Sequence, residues 1–309
     1  MPKIQIPVLL AAAAMFAAAD APADDVASPE ANSSSGGAAV TFGAIADCQY
    51  CDGPLKGVRY YRDSPAKLRA AVAEFNRHDL DFAVHLGDFI DREWESFDAV
   101  APIYESLKAP HYHVLGNHDF SVPDDKKALV PGKLKMPSKF YDFAVKGWRF
   151  LVVDGNDVSL HAHPAGSEAH KAAQAYKAAH APKKPDCNGA IGEAQVAWLT
   201  KKLGEAAAAG ERAVIFCHFP IYPEDQHNLW NDKAILGVLT KHNGTAVAWI
   251  NGHNHAGNYA AREGIHFLTL KGMVDTKENS FAIIRLDEKS IEVKGFGREP
   301  SRTLAIPAK

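Results

Sequence analysis

Five runs of strand length in this chain each end on a short polar block, and no other feature constrains the fold as much. The runs are residues 40–46, 82–86, 111–115, 213–217 and 246–250. The blocks that follow them are Asp47-Cys48-Gln49, Gly87-Asp88, Gly116-Asn117-His118-Asp119, His218 and Gly252-His253-Asn254-His255. Layered α/β sheets bind ligands in the crevice beyond the carboxyl ends of their strands. Blocks placed in this way let separate strands converge on one site, which scattered core histidines would not do.

The residue types define the chemistry of that site. Asp47, Gln49, Asp88, Asn117, His218, His253 and His255 offer two carboxylates, two side-chain amides and three imidazoles, the ligand set for a pair of divalent metals. Such metals lie about 3.5–4 Å apart, need a bridging carboxylate and clamp the attacking and leaving oxygens. Asp88 is the expected bridge, since Gly87 lets the chain turn tightly after its strand. Asp47, Gln49 and His255 would complete one metal, and Asn117, His218 and His253 the other. Two metals, two carboxylates and a bridging hydroxide leave one net positive charge, which suits a phosphate anion. His118 is left free as a general acid or as a donor to phosphate, with Asp119 or Asp91 to orient it or a ligand histidine. The mixed oxygen and imidazole donors suit manganese, iron, zinc or magnesium and disfavour a thiolate site. Any one block alone reads more readily as a turn or cap; the ordered set reads as a metal-dependent hydrolase acting on phosphoesters or phosphoanhydrides. The other histidines, among them His161 and His227, are expected at the surface or in the core.

At 309 residues, 47% hydrophobic and 23% charged, the chain has enough apolar sequence for a substantial core. A formal charge of −3, with no long basic run, argues against a nucleic-acid coat. Residues 1–19 read as a secretory signal peptide: Lys3 precedes an apolar stretch that ends in Ala17-Ala18-Ala19 and is too short for stable membrane insertion. Residues 20–38 read as a flexible linker, leaving 39–309 as the folded domain. An exported, periplasmic or secreted monomer is therefore expected. In an oxidising compartment Cys51 and Cys187, both in polar loop sequence, are the favoured disulfide among the three full pairings open to four cysteines. Cys48 is expected to point into the sheet, and Cys217 to be a buried strand thiol.

Strands and helices alternate along the rest. Ser64-Pro65 opens a helix to about His78, 93–107 reads as a helix, and 140–145 with 148–153 as a hairpin. A polar insertion at 160–188 is expected to be helical in part. An amphipathic helix follows at 192–203, and strand-like runs at 265–270, 280–286 and 291–294 close the chain.

The ordered motifs D-x-[HQ], GD, GNHD, H and GHxH resemble the calcineurin-like metallophosphoesterase superfamily. That resemblance implies an α+β layered fold, a central β-sandwich of two mixed sheets flanked by helices with a dimetal centre at strand carboxyl ends. Within it, the glutamine of Asp47-Cys48-Gln49-Tyr50 is similar to that of the manganese-dependent ADP-ribose/CDP-alcohol diphosphatases. Arg59-Tyr60-Tyr61-Arg62, Asn188-Gly189-Ala190-Ile191-Gly192, His218-Phe219-Pro220-Ile221-Tyr222-Pro223, Trp230-Asn231 and Gly295-Phe296-Gly297-Arg298 add to the match, which spans roughly 41–302. The resemblance implies two divalent ions, manganese first, and a small nucleoside diphosphate conjugate such as ADP-ribose or CDP-choline as substrate. A metal-held hydroxide would attack one phosphorus while His118 assists the leaving phosphate. Arg59 and Arg62 would hold the second phosphate, since guanidinium matches phosphate geometry; helix-flanking surface charge is their alternative. Trp230 would line a base pocket or pack, and Asn231 would cap a helix. The stretch between Tyr50 and Arg59 is shorter than is common in the family, which leaves base preference open. A broader phosphodiesterase or phosphomonoesterase on the same centre is the alternative activity.

Overall fold

The computed structural model describes residues 39–308. The expected signal peptide and linker lie outside the described residues. Strand β1 (Val40–Ile45) is followed by α1 (Ser64–Phe75), β2 (Phe82–His85), α2 (Ser96–Tyr104) and β3 (His111–His113). The one-turn helix α3 (Val130–Lys133) leads into the hairpin β4 (Tyr141–Val145) and β5 (Trp148–Val152). An excursion follows, made of β6 (Val158–Ser159), α4 (Glu168–His180) and β7 (Gly189–Ala190). The chain continues through α5 (Glu193–Ala208), β8 (Arg212–Phe216), α6 (Asp232–Lys241) and β9 (Ala246–Asn251). It ends in β10 (Asn258–Arg262), β11 (Ile265–Thr269), β12 (Ser280–Leu286), β13 (Ser290–Gly297) and β14 (Arg302–Ala305).

Two six-stranded sheets result, in the orders β14-β13-β12-β1-β2-β3 and β10-β11-β9-β8-β5-β4. Both are mixed. In the first, β1, β2 and β3 run parallel while β12 joins β1 antiparallel. In the second, β5, β8, β9 and β11 run parallel, with β4 and β10 antiparallel at the edges. Strands buried on both faces need near-continuous apolar sequence, and β8 and β9 are buried at every residue. Between the sheets Phe42 stacks on Phe82 at 4.8 Å, and Phe82 meets Phe150 edge-on at 4.8 Å. Burying each such ring contributes about 1.5–3 kcal/mol. The outer face of the first sheet is covered by Leu68, Val72 and Phe75 of α1 and by Phe97 and Val100 of α2. Leu199 and Leu203 of α5, with Ile235 and Leu239 of α6, cover the second. This is the sandwich of two mixed sheets flanked by helices that the sequence led us to expect.

Several local expectations differ. The second helix begins at Ser96, not Glu93, because Glu93 takes a left-handed φ of 68°. Ser64 is the first helical residue of α1 and its hydroxyl makes no cap. No disulfide joins Cys51 to Cys187: all four cysteines are free. The Cys51 thiol turns inward to Asp91 at 3.7 Å, and the Cys187 thiol lies 3.6 Å from the Asn188 side-chain oxygen. Cys48 and Cys217 are buried in the two sheet–helix layers.

Candidate metal centre

The ligand blocks leave β1, β2, β8 and β9 at their carboxyl ends and follow β3 by three residues. Neighbouring strands bring them side by side, since β1 pairs with β2 and β2 with β3, and β8 with β9. The backbone there is bent sharply: Asp47, Gln49, Asp88 and His253 have left-handed φ values of 51°, 47°, 54° and 67°. Such conformations cost about 1–3 kcal/mol each and persist only where surrounding bonds fix them. Those bonds are present. Asp47 N donates to Gly87 O, Gln49 N to Asp88 O, and Val274 N to Asp47 O. The buried Asp119 carboxylate accepts from Gly116 N at 2.9 Å, Phe89 N at 2.8 Å, Asp88 N at 3.2 Å and Ile90 N at 3.3 Å. Asp119 therefore ties the second and third blocks together through their backbones and does not orient a histidine.

Close approach explains two glycines. A Cβ on Gly87, itself at φ 89°, would lie 2.6 Å from His218 Nδ1, and one on Gly252 would lie 2.7 Å from Asp47 Oδ2. Either side chain would displace a candidate ligand.

The ligand atoms of Asp88, His218 and His253 all lie within 4.8 Å of one another. His218 Nε2 is 3.2 Å from Asp88 Oδ2 and 3.2 Å from His253 Nδ1. On the adjoining side His255 Nε2 is 3.4 Å from Asp47 Oδ1, and His253 N donates to the same carboxylate at 3.2 Å. Gln49 Oε1 and Nε2 and Asn117 Oδ1 are buried with no hydrogen-bond partner. Buried amide oxygens are costly to leave unpaired. Two of them, in the blocks that also carry Asp47 and His118, fit divalent cations as their missing partners. Electrostatics agree. Burial would raise the Asp88 carboxyl, but His218, His118 and His253 outweigh it and hold it well below the usual range. Burial would lower His218 and His255, yet Asp88 raises the first to about 9 and Asp47, with Asp275, the second to about 9. Burial, and then the charge of His218, instead holds His253 well below the usual imidazole range, so the two carboxylates draw positive charge to His218 and His255.

Each candidate ligand histidine has a partner on its far nitrogen. His218 Nδ1 lies 2.8 Å from Leu86 O, His253 Nε2 3.0 Å from Asn188 Oδ1, and His255 Nδ1 2.9 Å from Asp275 Oδ1. Lys67, buried on α1, donates to the carbonyls of Met273 and Thr276 and so braces the segment carrying Asp275. Sequence reading named neither Asp275 nor Lys67. Asn188 stood there only as part of a motif.

His118 N donates to Asp88 Oδ1 at 2.8 Å, while its Nδ1 donates to Asp91 O at 2.9 Å with the Asp91 carboxylate 3.3 Å away. The Arg59 and Asp275 backbones meet in an isolated antiparallel β-bridge. Burial opposes the charge of Arg59, which Tyr61, Asp88 and Asp275 stabilise. Arg62 instead forms an exposed 2.6 Å pair with Asp52. His161 and His227 are neither plain surface nor core. His161 has a buried, unpartnered Nε2 and feels the charges of His118 and Asp88; the His227 ring is 5.7 Å from that of His253. Trp230 packs, its indole donating to Pro185 O at 3.0 Å. The Asn231 amide makes no helix cap; it pairs both ways with the Ile191 backbone.

A two-sheet sandwich that gathers carboxylates, amides and imidazoles at one edge defines a metal-dependent phosphohydrolase. The chain belongs to the calcineurin-like phosphoesterase family, whose model matches residues 40–257. It is 28% identical to the manganese-dependent ADP-ribose/CDP-alcohol diphosphatase of Arabidopsis thaliana, over 84% of this chain and 95% of the relative. The human diphosphatase of the same name is 27% identical over 91% of this chain and 97% of its own length. Among solved structures, a dimetal phosphatase from Danio rerio superposes with a TM-score of 0.79 at 28% identity, covering 87% of this chain and 99% of that one.

Proposed function

We propose that this phosphoesterase hydrolyses the phosphoanhydride bond of nucleoside diphosphate conjugates, with ADP-ribose and CDP-alcohols as first candidates. The observation that carries the reading is the approach of Asp88, His218 and His253, with Asp47 against His255 and buried, unpaired amides on Gln49 and Asn117, in a chain whose relatives are named for that activity. Asp47, Gln49, Asp88 and His255 would hold one divalent ion, and Asp88, Asn117, His218 and His253 a second, with manganese the first choice. Two such ions supply Lewis-acid polarisation of phosphoryl oxygens and a nucleophile at neutral pH. His118, with Nδ1 held by Asp91, offers Nε2 as proton donor to the leaving oxygen. Arg59 holds the second phosphate, and Asp88 sets the position of His118 through its backbone N–H.

The test is turnover of CDP-choline and ADP-ribose by chelator-treated chain repleted with manganese, beside Asp88→Ala. Release of CMP or AMP that the variant lacks supports the reading and ranks the substrates. Cleavage of aryl phosphodiesters or monoesters alone would replace it with the broader esterase. Export, proposed from residues 1–19, is checked separately by N-terminal sequencing of the mature protein and cell fractionation, and the monomer by sedimentation. No helix among the described residues is long and apolar enough to cross a membrane.

A further inference from the structure

The excursion between β5 and α5 returns to the sandwich through Asn188, just before β7, and this residue is completely buried. Its amide nitrogen donates to two backbone carbonyls, Gln226 O at 2.7 Å and Asn228 O at 2.8 Å. With both N–H bonds committed, the amide cannot be flipped, and Oδ1 is the atom that faces His253 Nε2 at 3.0 Å. An amide oxygen only accepts. His253 must therefore carry its proton on Nε2, which leaves the Nδ1 lone pair facing His218 and Asp88. The ring is also packed against Phe219, with centroids 4.6 Å apart.

The peg is itself anchored. Lys184 Nζ donates to Leu229 O and to Asp232, each at 2.6 Å, and Trp230 N donates to Gly189 O at 2.7 Å. The excursion is thus fastened to the segment before α6, and Asn188 projects from the fastened part onto a ligand imidazole.

We infer that Asn188 is a positioning residue: it locks His253 as the Nε2–H tautomer and makes the affinity of one metal position depend on the excursion. This rests on the reading of His253 as a metal ligand. Partners of this kind typically account for 10–100-fold in metal affinity.

Two measurements test it on the full chain. The first is long-range proton–nitrogen NMR of the chelator-treated protein labelled with 15N-histidine, with His253 assigned by its loss in His253→Gln. A protonated Nε2 and a bare Nδ1 on His253 are expected; a proton on Nδ1 of the unaltered chain overturns the inference. The second is calorimetric titration with manganese. Asn188→Ala should weaken one of two equivalents by about 10–100-fold and leave the other unchanged. Trp230→Phe, which loses the bond to Pro185 but keeps the Asn188–His253 contact, should bind both as the unaltered chain does. Unchanged binding by Asn188→Ala overturns the inference, as does an equal loss in Trp230→Phe, which would assign the effect to packing of the excursion. An unaltered chain that binds no manganese would instead remove the metal reading on which the inference stands.

Discussion

Asp275 Oδ1 lies 2.9 Å from Nδ1 of His255, twenty residues earlier in the chain, and turns Nε2 of that ring toward Asp47 at 3.4 Å. A carboxylate behind a ligand imidazole fixes its tautomer and raises its basicity. Asp275→Asn should therefore fold normally and lose about 10–100-fold in manganese affinity. Equilibrium dialysis against manganese checks this; unchanged affinity would leave Asp275 a buried packing partner of His255 alone.

Asp119→Asn should be costlier to the fold than its isosteric shape suggests. Two backbone N–H groups donate to each carboxylate oxygen, so the new amide nitrogen must confront two donors. Leaving two buried N–H groups unpaired costs about 2–6 kcal/mol in all. Urea unfolding read at two wavelengths would show the midpoint fall without a change in slope.

Asp154 gives the fold a pH dependence through a carboxyl that is not a candidate ligand. Burial, and then the charge of Asp157, raises its carboxyl to about 7 from an ordinary 3.8. Between pH 4 and 7 the folded chain thus binds more protons than the unfolded one, and this group's contribution to stability falls as pH rises through that window. Asp154→Asn keeps the Oδ1 that accepts from Asn156 N at 2.8 Å and removes the buried charge. It should be more stable than the unaltered chain by about 1–3 kcal/mol above pH 7 and no more stable near pH 4. Melting temperatures across that range decide it; parallel curves would refute the assignment.

The two arginines of the Arg59–Arg62 block should separate. Arg59 is near Asp88 and Asp275, whereas Arg62 spends its charge on the exposed Asp52. Arg59→Ala should raise KM for a diphosphate substrate by about 10–100-fold, the worth of a charge-assisted bond. Arg62→Ala should change it by less than about twofold, since an exposed pair contributes little. Steady-state kinetics on one substrate compares them directly.

Central strands were legible because burial on both faces demands unbroken apolar sequence, as in β8 and β9. The edge strands β10 and β14 were not, since their residues are largely half-buried or exposed and carry no such run. Local sequence also determined the donor chemistry: blocks that end parallel strands of one sheet lie at one edge of it, and their residue types are those of a cation site. What backs each donor was decided only in three dimensions. A buried imidazole needs a partner for its second nitrogen, and any segment packed behind it can supply one. Here a main-chain carbonyl, an excursion amide and a loop carboxylate do so, at separations of 132, 65 and 20 residues. No periodicity or spacing encodes such pairings. The same holds for Cys51, whose burial against Asp91 places it away from the disulfide that its polar flanks suggested, and for Arg62, whose nearest counter-charge is Asp52.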